Sequence, residues 1–177
     1  MRPLLLETDA LADRHRAAIR RLLDDAFAGD FTDDDWQHAL GGWHALIEEA
    51  GAIVAHAAVV ERRLEIGGRV VSAGYVEAVA VPTSRQRSGL GSSVMRAINA
   101  IIRERFELGA LSSGEWGFYE RLGWERWRGP TWVRRADGQI VRTPDEDEGV
   151  MVLRTERSGT LDLREPIACD ERAGDSW

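Results

Sequence analysis

Apolar side chains in the first part of the chain recur at helical spacing. Leu11, Ile19 and Leu22 would share one helix face, which predicts a first helix over 11–27 with Thr8 as its possible N-cap. A second cap follows closely. Thr32 precedes three aspartates and then Trp36 and Leu40, so we expect a short second helix whose acidic first turn complements the helix dipole.

From Trp43 to Val81 the pattern becomes that of strands. Three apolar segments, WHALIEE, AIVAHAAVVERRLEI and RVVSAGYVEAVAV, are separated by turn glycines at Gly51 and at Gly67-Gly68. Three neighbouring antiparallel strands are the simplest interpretation.

Helices and strands then alternate towards the C-terminus. A helix is predicted from Gly89, a short strand in ELGALSS, a helix in GEWGFYERLG that ends at Gly123, and strands in WERWRGPTWVRR and GVMVLR. The tail from Thr155 is polar but ends on Trp177. We find no repeat or linker and expect a single α+β domain over 1–177 with a mixed sheet.

Composition is typical of a globular protein of 177 residues, 44% of them hydrophobic. No segment reaches the roughly 18 apolar residues that span a bilayer, and MRPLLLETDA becomes acidic too early for a secretory signal. We therefore expect a cytoplasmic protein without membrane contact. Cys169 is the only cysteine and the four histidines lack HExxH spacing, so we expect neither a disulfide nor a metal.

The formal net charge is −7, from 30 acidic and 23 basic residues. This balance argues against nucleic acid and permits a cationic partner. Every basic residue is arginine. Without lysine the chain has neither a P-loop nor a Schiff base.

The segment RQRSGLGSS, from Arg85 to Ser93, places glycines between a predicted strand and a predicted helix. Backbone N–H groups that no Cβ obstructs, together with the helix dipole, favour a phosphate at such a place, and Arg85 and Arg87 add charge. A plain capping loop fits the spacing equally well. Both interpretations stay open on spacing alone.

QRSGLG at Gln86–Gly91 resembles the pyrophosphate-binding signature Q/R-x-x-G-x-G/A of GNAT-type (GCN5-related) N-acetyltransferases. YERLGW at Tyr119–Trp124 is similar to that family's Y-x-x-x-G-F/W stretch. The resemblance implies the GNAT fold, in which helices flank a mixed central sheet and a bulged, splayed strand binds acetyl-CoA. The cofactor-binding residues that it implies are Val79, Ala80, Val81, Gln86, Arg87, Ser88, Gly89, Leu90 and Gly91.

Other segments resemble the aminoglycoside 2′-N-acetyltransferases of mycobacteria and their relatives. They are FAGDFTDDDW, GALSS, RTPDEDEG and the C-terminal RAGDSW. This resemblance implies transfer of acetyl from acetyl-CoA to the 2′-amine of an aminoglycoside, an antibiotic-resistance activity, by direct transfer in a ternary complex. Since these relatives are often dimeric, we also expect a homodimer.

The resemblance assigns three catalytic roles. Glu77 would accept the proton of the amine through water, the backbone N–H of Val79 would polarise the thioester carbonyl, and Tyr119 would protonate the departing thiolate. On the residues alone, Glu77 is better explained as a solvent-facing strand residue, because a lone acid in a strand is usually exposed. Tyr119 has the alternative interpretation of a core aromatic beside Phe118 and Trp124, because aromatic residues at helical spacing more often serve packing.

A polycationic amino sugar requires several carboxylates and hydroxyls. The acceptor-binding residues implied by residue-by-residue match are Asp30, Glu77, Ser112, Glu146, Asp170, Asp175 and Trp177. For Trp177 the prediction is that the indole docks and fixes a terminal carboxylate. For Glu146 a solvated acidic loop is the alternative, and Cys169 is interpreted as a packed small residue.

Two other functions remain open at this point. The chain could acetylate a different amine, namely a polyamine, a cell-wall amino sugar or a protein amine. It could also be a non-catalytic module that binds acetyl-CoA or sequesters an aminoglycoside.

Overall fold

The computed structural model describes residues 2–177, which divide into two compact units. The first unit contains the chain up to Val60 together with Val76–Ile101, and the second contains Glu61–Tyr75 together with Ile102–Trp177. Two long strands and one helix contribute residues to both units. One domain over the whole chain stays a prediction.

Helices and strands are numbered in chain order. The helices are α1 (Asp13–Ala26), α2 (Asp33–His38), α3 (Leu90–Arg105) and α4 (Trp116–Glu120). The strands are β1 (Leu4–Glu7), β2 (Trp43–Glu49), β3 (Ala52–Ile66), β4 (Arg69–Ala80), β5 (Leu108–Ser112), β6 (Glu125–Arg126), β7 (Thr131–Arg134), β8 (Ile140–Arg142), β9 (Val150–Arg154) and β10 (Ile167–Asp170).

In the first unit, β2 pairs antiparallel with both β1 and β3. The apolar face of α1 packs Ile19 and Leu23 into a core that includes Leu46, as the helical spacing predicts. The predicted cap is wrong, however. Thr8 lies in a separate 3₁₀ turn, and the N-cap of α1 is Ala12, which forms no side-chain cap.

The second predicted cap is confirmed. The Thr32 hydroxyl accepts a hydrogen bond from the Asp35 backbone N–H, and the Asp35 carboxylate accepts one from the Thr32 backbone N–H. This capping box explains the acidic first turn of α2 by local structure. The helix carries Trp36 but ends at His38, before Leu40.

The strands of the second unit follow the order β6-β9-β5-β4-β3-β10-β7-β8. The β4–β5 and β7–β10 pairs are parallel, and the β5–β9 and β7–β8 pairs are antiparallel. The sheet is therefore mixed and the fold class α+β, both as predicted. Gly67 and Gly68, with φ of 55° and 82°, form the turn that joins β3 to β4, a conformation for which glycine is the least strained residue.

Three short strands escaped the sequence pattern: β1, β8 and β10. No strand was predicted in the polar tail from Thr155, yet β10 lies between β3 and β7 and buries Ile167, Ala168 and Cys169. The predicted helix in GEWGFYERLG is confirmed but short, spanning Trp116–Glu120. Across residues 2–177, no helix is both long enough and apolar enough to cross a membrane.

Candidate active site

The loop between β4 and α3 presents backbone at the start of a sixteen-residue helix. Arg87 and Gly89 both have positive φ, 61° and 85°, and α3 begins at the next residue, Leu90. A Cβ added at Gly89 would meet no atom within 4 Å. Open backbone of this shape ahead of a helix N-terminus is typical of anion-binding sites.

The predicted cofactor residues of this loop are mostly accessible. Gln86, Arg87, Ser88 and Gly89 are exposed, whereas the Leu90 side chain is buried and leaves only its backbone towards the loop. Arg85, which was expected to add positive charge to this loop, is paired with an acid outside it. Arg85 forms a two-pronged ion pair with Glu49, at 2.9 and 3.1 Å, and lowers the pKa of that carboxyl. Arg87 is therefore the loop arginine that carries the anion-binding prediction.

Strand β4 contains a backbone irregularity at the place where a bulge was expected. Ala78 has φ of 52°, in the left-handed region that a non-glycine residue adopts only at a cost of about 1 kcal/mol. Burial changes just before this point. Tyr75 and Val76 are buried, while Glu77, Ala78 and Val79 are all half-buried. Glu77 is therefore not the fully solvent-facing strand residue of the alternative interpretation.

Two buried histidines, His56 and His44, are linked by hydrogen bonds to this irregular backbone. The sequence did not predict this contact. His56 Nδ1 lies 2.8 Å from the carbonyl oxygen of Ala78, and His56 Nε2 lies 3.0 Å from His44 Nδ1. His44 Nε2 in turn lies 2.8 Å from the Thr8 hydroxyl. Both imidazoles are fully buried. The one available signal was a histidine inside each of two apolar segments.

Both histidines are neutral at physiological pH. Burial, the neighbouring His56 and Arg16 lower the pKa of His44 to about 3. Burial lowers the pKa of His56 to about 4, although its bond to the Ala78 carbonyl acts in the opposite direction. Each ring therefore has one donor nitrogen and one acceptor nitrogen.

In the second unit, Tyr119 lies in α4 with its side chain buried. Burial raises the pKa of its phenol to about 12, although a hydrogen bond with the Ser113 side chain acts in the opposite direction. The ring packs edge-on against Phe118 and Trp124 at 4.9 and 6.1 Å between centroids. Tyr119 is thus a core aromatic and also a phenol that keeps its proton at neutral pH, as a general acid must.

The C-terminal tryptophan docks as predicted. Trp177 is 5% exposed, and its indole N–H donates to the Thr143 hydroxyl at 3.2 Å. Its backbone N–H donates to the carboxylate of Asp175 at 3.0 Å, and Arg172 donates to the backbone oxygen of Asp175 at 2.8 Å. The last three residues therefore have a defined position in the second unit.

Three of the predicted acceptor residues come together beside this segment. The Ser112 hydroxyl lies 3.2 Å from the carboxylate of Glu146, and a Cβ at Gly149 would approach that hydroxyl to 2.6 Å, so the glycine leaves room for it. Burial and the charge of Asp175 raise the pKa of Glu146. Glu146 is thus part of a polar cluster and not of a fully solvated loop.

Two predicted acceptor residues stand apart from this cluster. Asp170 is exposed and forms an ion pair with Arg134 at 2.9 Å, so its charge is already compensated. Asp30 is exposed in the first unit, in the loop between α1 and α2. Glu77 and the cofactor loop also belong to the first unit, whereas Tyr119 belongs to the second.

Comparisons with known proteins give a consistent result. The profile of the family described as "Acetyltransferase (GNAT) domain" matches residues 7–127. An aminoglycoside 2′-N-acetyltransferase of Mycolicibacterium fortuitum is 45% identical over 98% of this chain and 90% of its own length.

Among solved structures, a GNAT family N-acetyltransferase from Escherichia coli in complex with CoA has a TM-score of 0.67 at 16% identity, over 98% of this chain and 94% of that one. A GNAT family acetyltransferase from Brucella melitensis in complex with acetyl-CoA has a TM-score of 0.62 at 18% identity, over 97% and 96%. Several longer proteins share the fold, and the chain spans only 33–34% of their length. Sequence and fold agree that this chain belongs to the GNAT acetyltransferase family.

Proposed function

We propose that the protein transfers acetyl from acetyl-CoA to the 2′-amine of aminoglycoside antibiotics, directly within a ternary complex. The observation that carries this proposal is the 45% identity to the Mycolicibacterium fortuitum aminoglycoside 2′-N-acetyltransferase over 98% of the chain. That similarity continues beyond residue 127, where the general family match ends. It therefore includes most of the segment after residue 127, in which Glu146 and Asp170 lie.

The cofactor assignment is supported by the loop before α3. Its two positive φ angles and the start of α3 present N–H groups suited to a pyrophosphate, and two proteins of the same fold have been solved with CoA or acetyl-CoA bound. The backbone of Val79, Ala80 and Val81 would hold the pantetheine arm. Gln86 to Gly91, with the charge of Arg87, would hold the pyrophosphate.

Each catalytic role has a local physical reason. The half-buried carboxylate of Glu77 is placed to accept a proton through water without being fully solvated. The phenol of Tyr119, with a pKa of about 12, has a proton to give to a thiolate at neutral pH. The backbone N–H of Val79, next to the irregular backbone at Ala78, would polarise the thioester oxygen.

Acceptor binding is assigned to acids and hydroxyls, because an aminoglycoside is a polycation. Ser112, Glu146, Asp175 and Trp177 are already clustered in the second unit. For Asp170, binding of the antibiotic would require its ion pair with Arg134 to open or to be shared. The net charge of −7 favours approach of a polycation.

We further infer that the protein acts in the cytoplasm, as a homodimer, and confers aminoglycoside resistance. Dimerisation is supported by β8, which lies at one end of the second unit's sheet and carries Ile140 at 51% exposure. A strand at the end of a sheet, with one edge not covered by another strand and an exposed apolar side chain, favours association. Gel filtration with light scattering measures the mass, and a monomer would contradict this part of the proposal.

The decisive experiment exploits the substituent at the 2′ position. Tobramycin and gentamicin carry a 2′-amine, whereas kanamycin A carries a hydroxyl there. Thiol release from acetyl-CoA should be fast with tobramycin and gentamicin, and NMR of the products should place the acetyl group on the 2′-nitrogen. With kanamycin A, no product acetylated at the 2′ position should form. Turnover of a polyamine or a protein amine with far higher kcat/KM than tobramycin would refute the assignment.

A further inference from the structure

We propose that His56 is a positioning residue for acetyl transfer: its imidazole sets the direction in which the Val79 backbone N–H points. This inference rests on the proposed function, in which that N–H polarises the thioester. His56 itself is 0% exposed, so it acts through the backbone of β4 and touches neither substrate.

One peptide group contains both the Ala78 carbonyl and the Val79 N–H. A peptide group is planar, and in the trans form its C=O and N–H point in opposite directions. No cis peptide occurs among residues 2–177. Since His56 Nδ1 lies 2.8 Å from the Ala78 carbonyl oxygen, the carbonyl faces the imidazole. The Val79 N–H therefore points away from it.

The direction of every proton in the chain of hydrogen bonds follows from this first contact. A carbonyl only accepts, so His56 Nδ1 carries the proton and His56 Nε2, on a neutral ring, must accept. Hence His44 Nδ1, 3.0 Å away, donates, and His44 Nε2 accepts from the Thr8 hydroxyl at 2.8 Å. Only one arrangement of tautomers satisfies all three contacts.

The Thr8 hydroxyl, at the other end of this series of hydrogen bonds, is held by backbone groups. The Thr8 hydroxyl accepts from the N–H groups of Gly41 and Gly42 at 2.9 and 3.1 Å. Its one proton has two acceptors within reach, His44 Nε2 at 2.8 Å and the Gly42 carbonyl oxygen at 3.2 Å, and the shorter contact is the one to His44. Gly42 has no room to move towards β3, because a Cβ there would lie 2.0 Å from the Val59 carbonyl oxygen. The irregular backbone at Ala78 is thus connected to the 41–42 turn through the imidazoles of His56 and His44 and the Thr8 hydroxyl.

The local conformation also requires such a tie. Ala78 adopts φ of 52° inside a strand, and a left-handed residue persists only when its surroundings over-determine it. A buried hydrogen bond to its own carbonyl meets that need. Without it, we expect Ala78 to relax towards ordinary strand geometry and to reorient the Val79 N–H.

Two substitutions of similar polarity separate positioning from mere stability. In His56→Asn the amide N–H takes the place of Nδ1 and keeps the bond to Ala78, whereas in His56→Gln it takes the place of Nε2 and does not. We expect kcat within about 3-fold of wild type for His56→Asn and a loss of about 10- to 100-fold for His56→Gln. KM for acetyl-CoA should change little in either. Equal kcat in the two variants would overturn the proposal.

His15→Gln is the matched control. His15 is also buried, at 9% exposure, and lies in the same unit, but its Nδ1 forms no hydrogen bond within residues 2–177. Its kcat should equal that of the wild type. A loss as large as that of His56→Gln would show that any buried histidine has this effect and would also overturn the proposal.

A spectroscopic measurement on the unmodified protein covers the case in which a variant does not fold. Nitrogen-15 spectra of imidazole rings distinguish the two neutral tautomers from each other and from the cation. We expect His56 and His44 both to carry the proton on Nδ1 at pH 7. An Nε2–H tautomer or an imidazolium at His56 would break the sequence of donors and refute the inference.

Failure of this inference and failure of the proposed function give different results. If the wild type acetylates no aminoglycoside, the proposed function is wrong, but hydrolysis of acetyl-CoA by water still needs a polarised carbonyl. His56→Gln should then hydrolyse acetyl-CoA more slowly than His56→Asn. Equal hydrolysis rates would overturn the positioning role whatever the acceptor.

Discussion

The Glu146 carboxylate lies 3.2 Å from the Ser112 hydroxyl. Burial and the nearby charge of Asp175 raise its pKa. For an acid with a raised folded-state pKa, the stabilising contribution is complete below the ordinary value of 4.5 and is lost as pH rises through the folded-state pKa. At neutral pH the ionised Glu146 therefore destabilises the fold, in a position where a bound cation would relieve the repulsion.

Glu146→Gln should separate stability from binding. We expect Tm to rise by about 2 °C at pH 7 and not at pH 4, because only the ionised form is repelled, while KM for tobramycin rises about 10-fold. Scanning calorimetry and steady-state kinetics measure the two effects. The control is Glu148→Gln, an exposed neighbour, which should change neither; a Tm gain at both pH values would contradict the electrostatic explanation.

Tyr119→Phe should lower kcat by about 100-fold or more and leave KM for acetyl-CoA within about 3-fold. The phenyl ring keeps its packing against Phe118 and Trp124, so the fold should persist. Since the pKa of the phenol is about 12, its deprotonation should not limit the wild-type rate between pH 6 and 10. Tyr75→Phe alters the other tyrosine of the chain and serves as the control; an unchanged rate in Tyr119→Phe would remove this phenol from the mechanism.

Arg87→Ala should raise KM for acetyl-CoA about 10-fold and make it less sensitive to salt, because an exposed cation opposite a pyrophosphate is lost. Arg85→Ala is the matched comparison in the same loop. Its guanidinium is already paired with Glu49, so the effect on KM should be smaller. Kinetics at two ionic strengths test both variants, and equal effects would mean that the Glu49 pair opens on cofactor binding.

Trp177→Ala should release the C-terminal segment, because the buried indole and its bond to Thr143 hold it. We expect KM for tobramycin to rise about 10-fold and Tm to fall by about 5 °C, with KM for acetyl-CoA nearly unchanged. Trp177→Phe keeps most of the packing and loses only the indole N–H, so its effects should be smaller. A change confined to acetyl-CoA kinetics would contradict the role in acceptor binding.

Cys169 should be chemically inert in the folded protein. Burial raises the pKa of its thiol from 9.0 to about 11, which lowers the thiolate fraction at pH 8 about 100-fold. Reaction with a disulfide reagent should therefore be slow until the protein is unfolded, and Cys169→Ala should retain full kcat. Rapid labelling of the native protein would show that the thiol is accessible.

Most long elements could be predicted from the sequence because their signals are local. Helix α1 follows from apolar spacing, α2 from the Thr32–Asp35 capping box, and β3 and β4 from apolar segments bounded by glycine turns. Strand β10 could not, because four residues in a polar tail carry no periodicity. Its pairing with β3 and β7 depends on tertiary contacts.

The histidine pair shows a different reason for failure. If β2 and β3 paired regularly from the turn at Ala50–Gly51, His44 would lie opposite an odd-numbered residue of β3. Paired residues share a face of the sheet and successive residues alternate, so the rings of His44 and His56 would then lie on opposite faces. An irregularity between Ile47 and Glu48 shifts the register by one residue, so that Leu46 pairs with His56 and the two rings share a face. No local pattern in the sequence predicts that register shift.

The irregular backbone at Ala78 has a consequence for the evolution of the enzyme. The group assigned to activate the thioester belongs to the main chain, so its chemistry is indifferent to which side chains occupy β4 nearby. Of the acids assigned to the acceptor, Glu77 lies in β4 and Asp30 in the loop between α1 and α2, whereas Glu146 lies in a 3₁₀ turn, Pro144–Glu146, and Asp170 and Asp175 lie in the tail that ends at Trp177. Selection by a new antibiotic could change the side chains of the turn and the tail one at a time, while the main-chain N–H proposed to polarise the thioester would be unaffected by those substitutions.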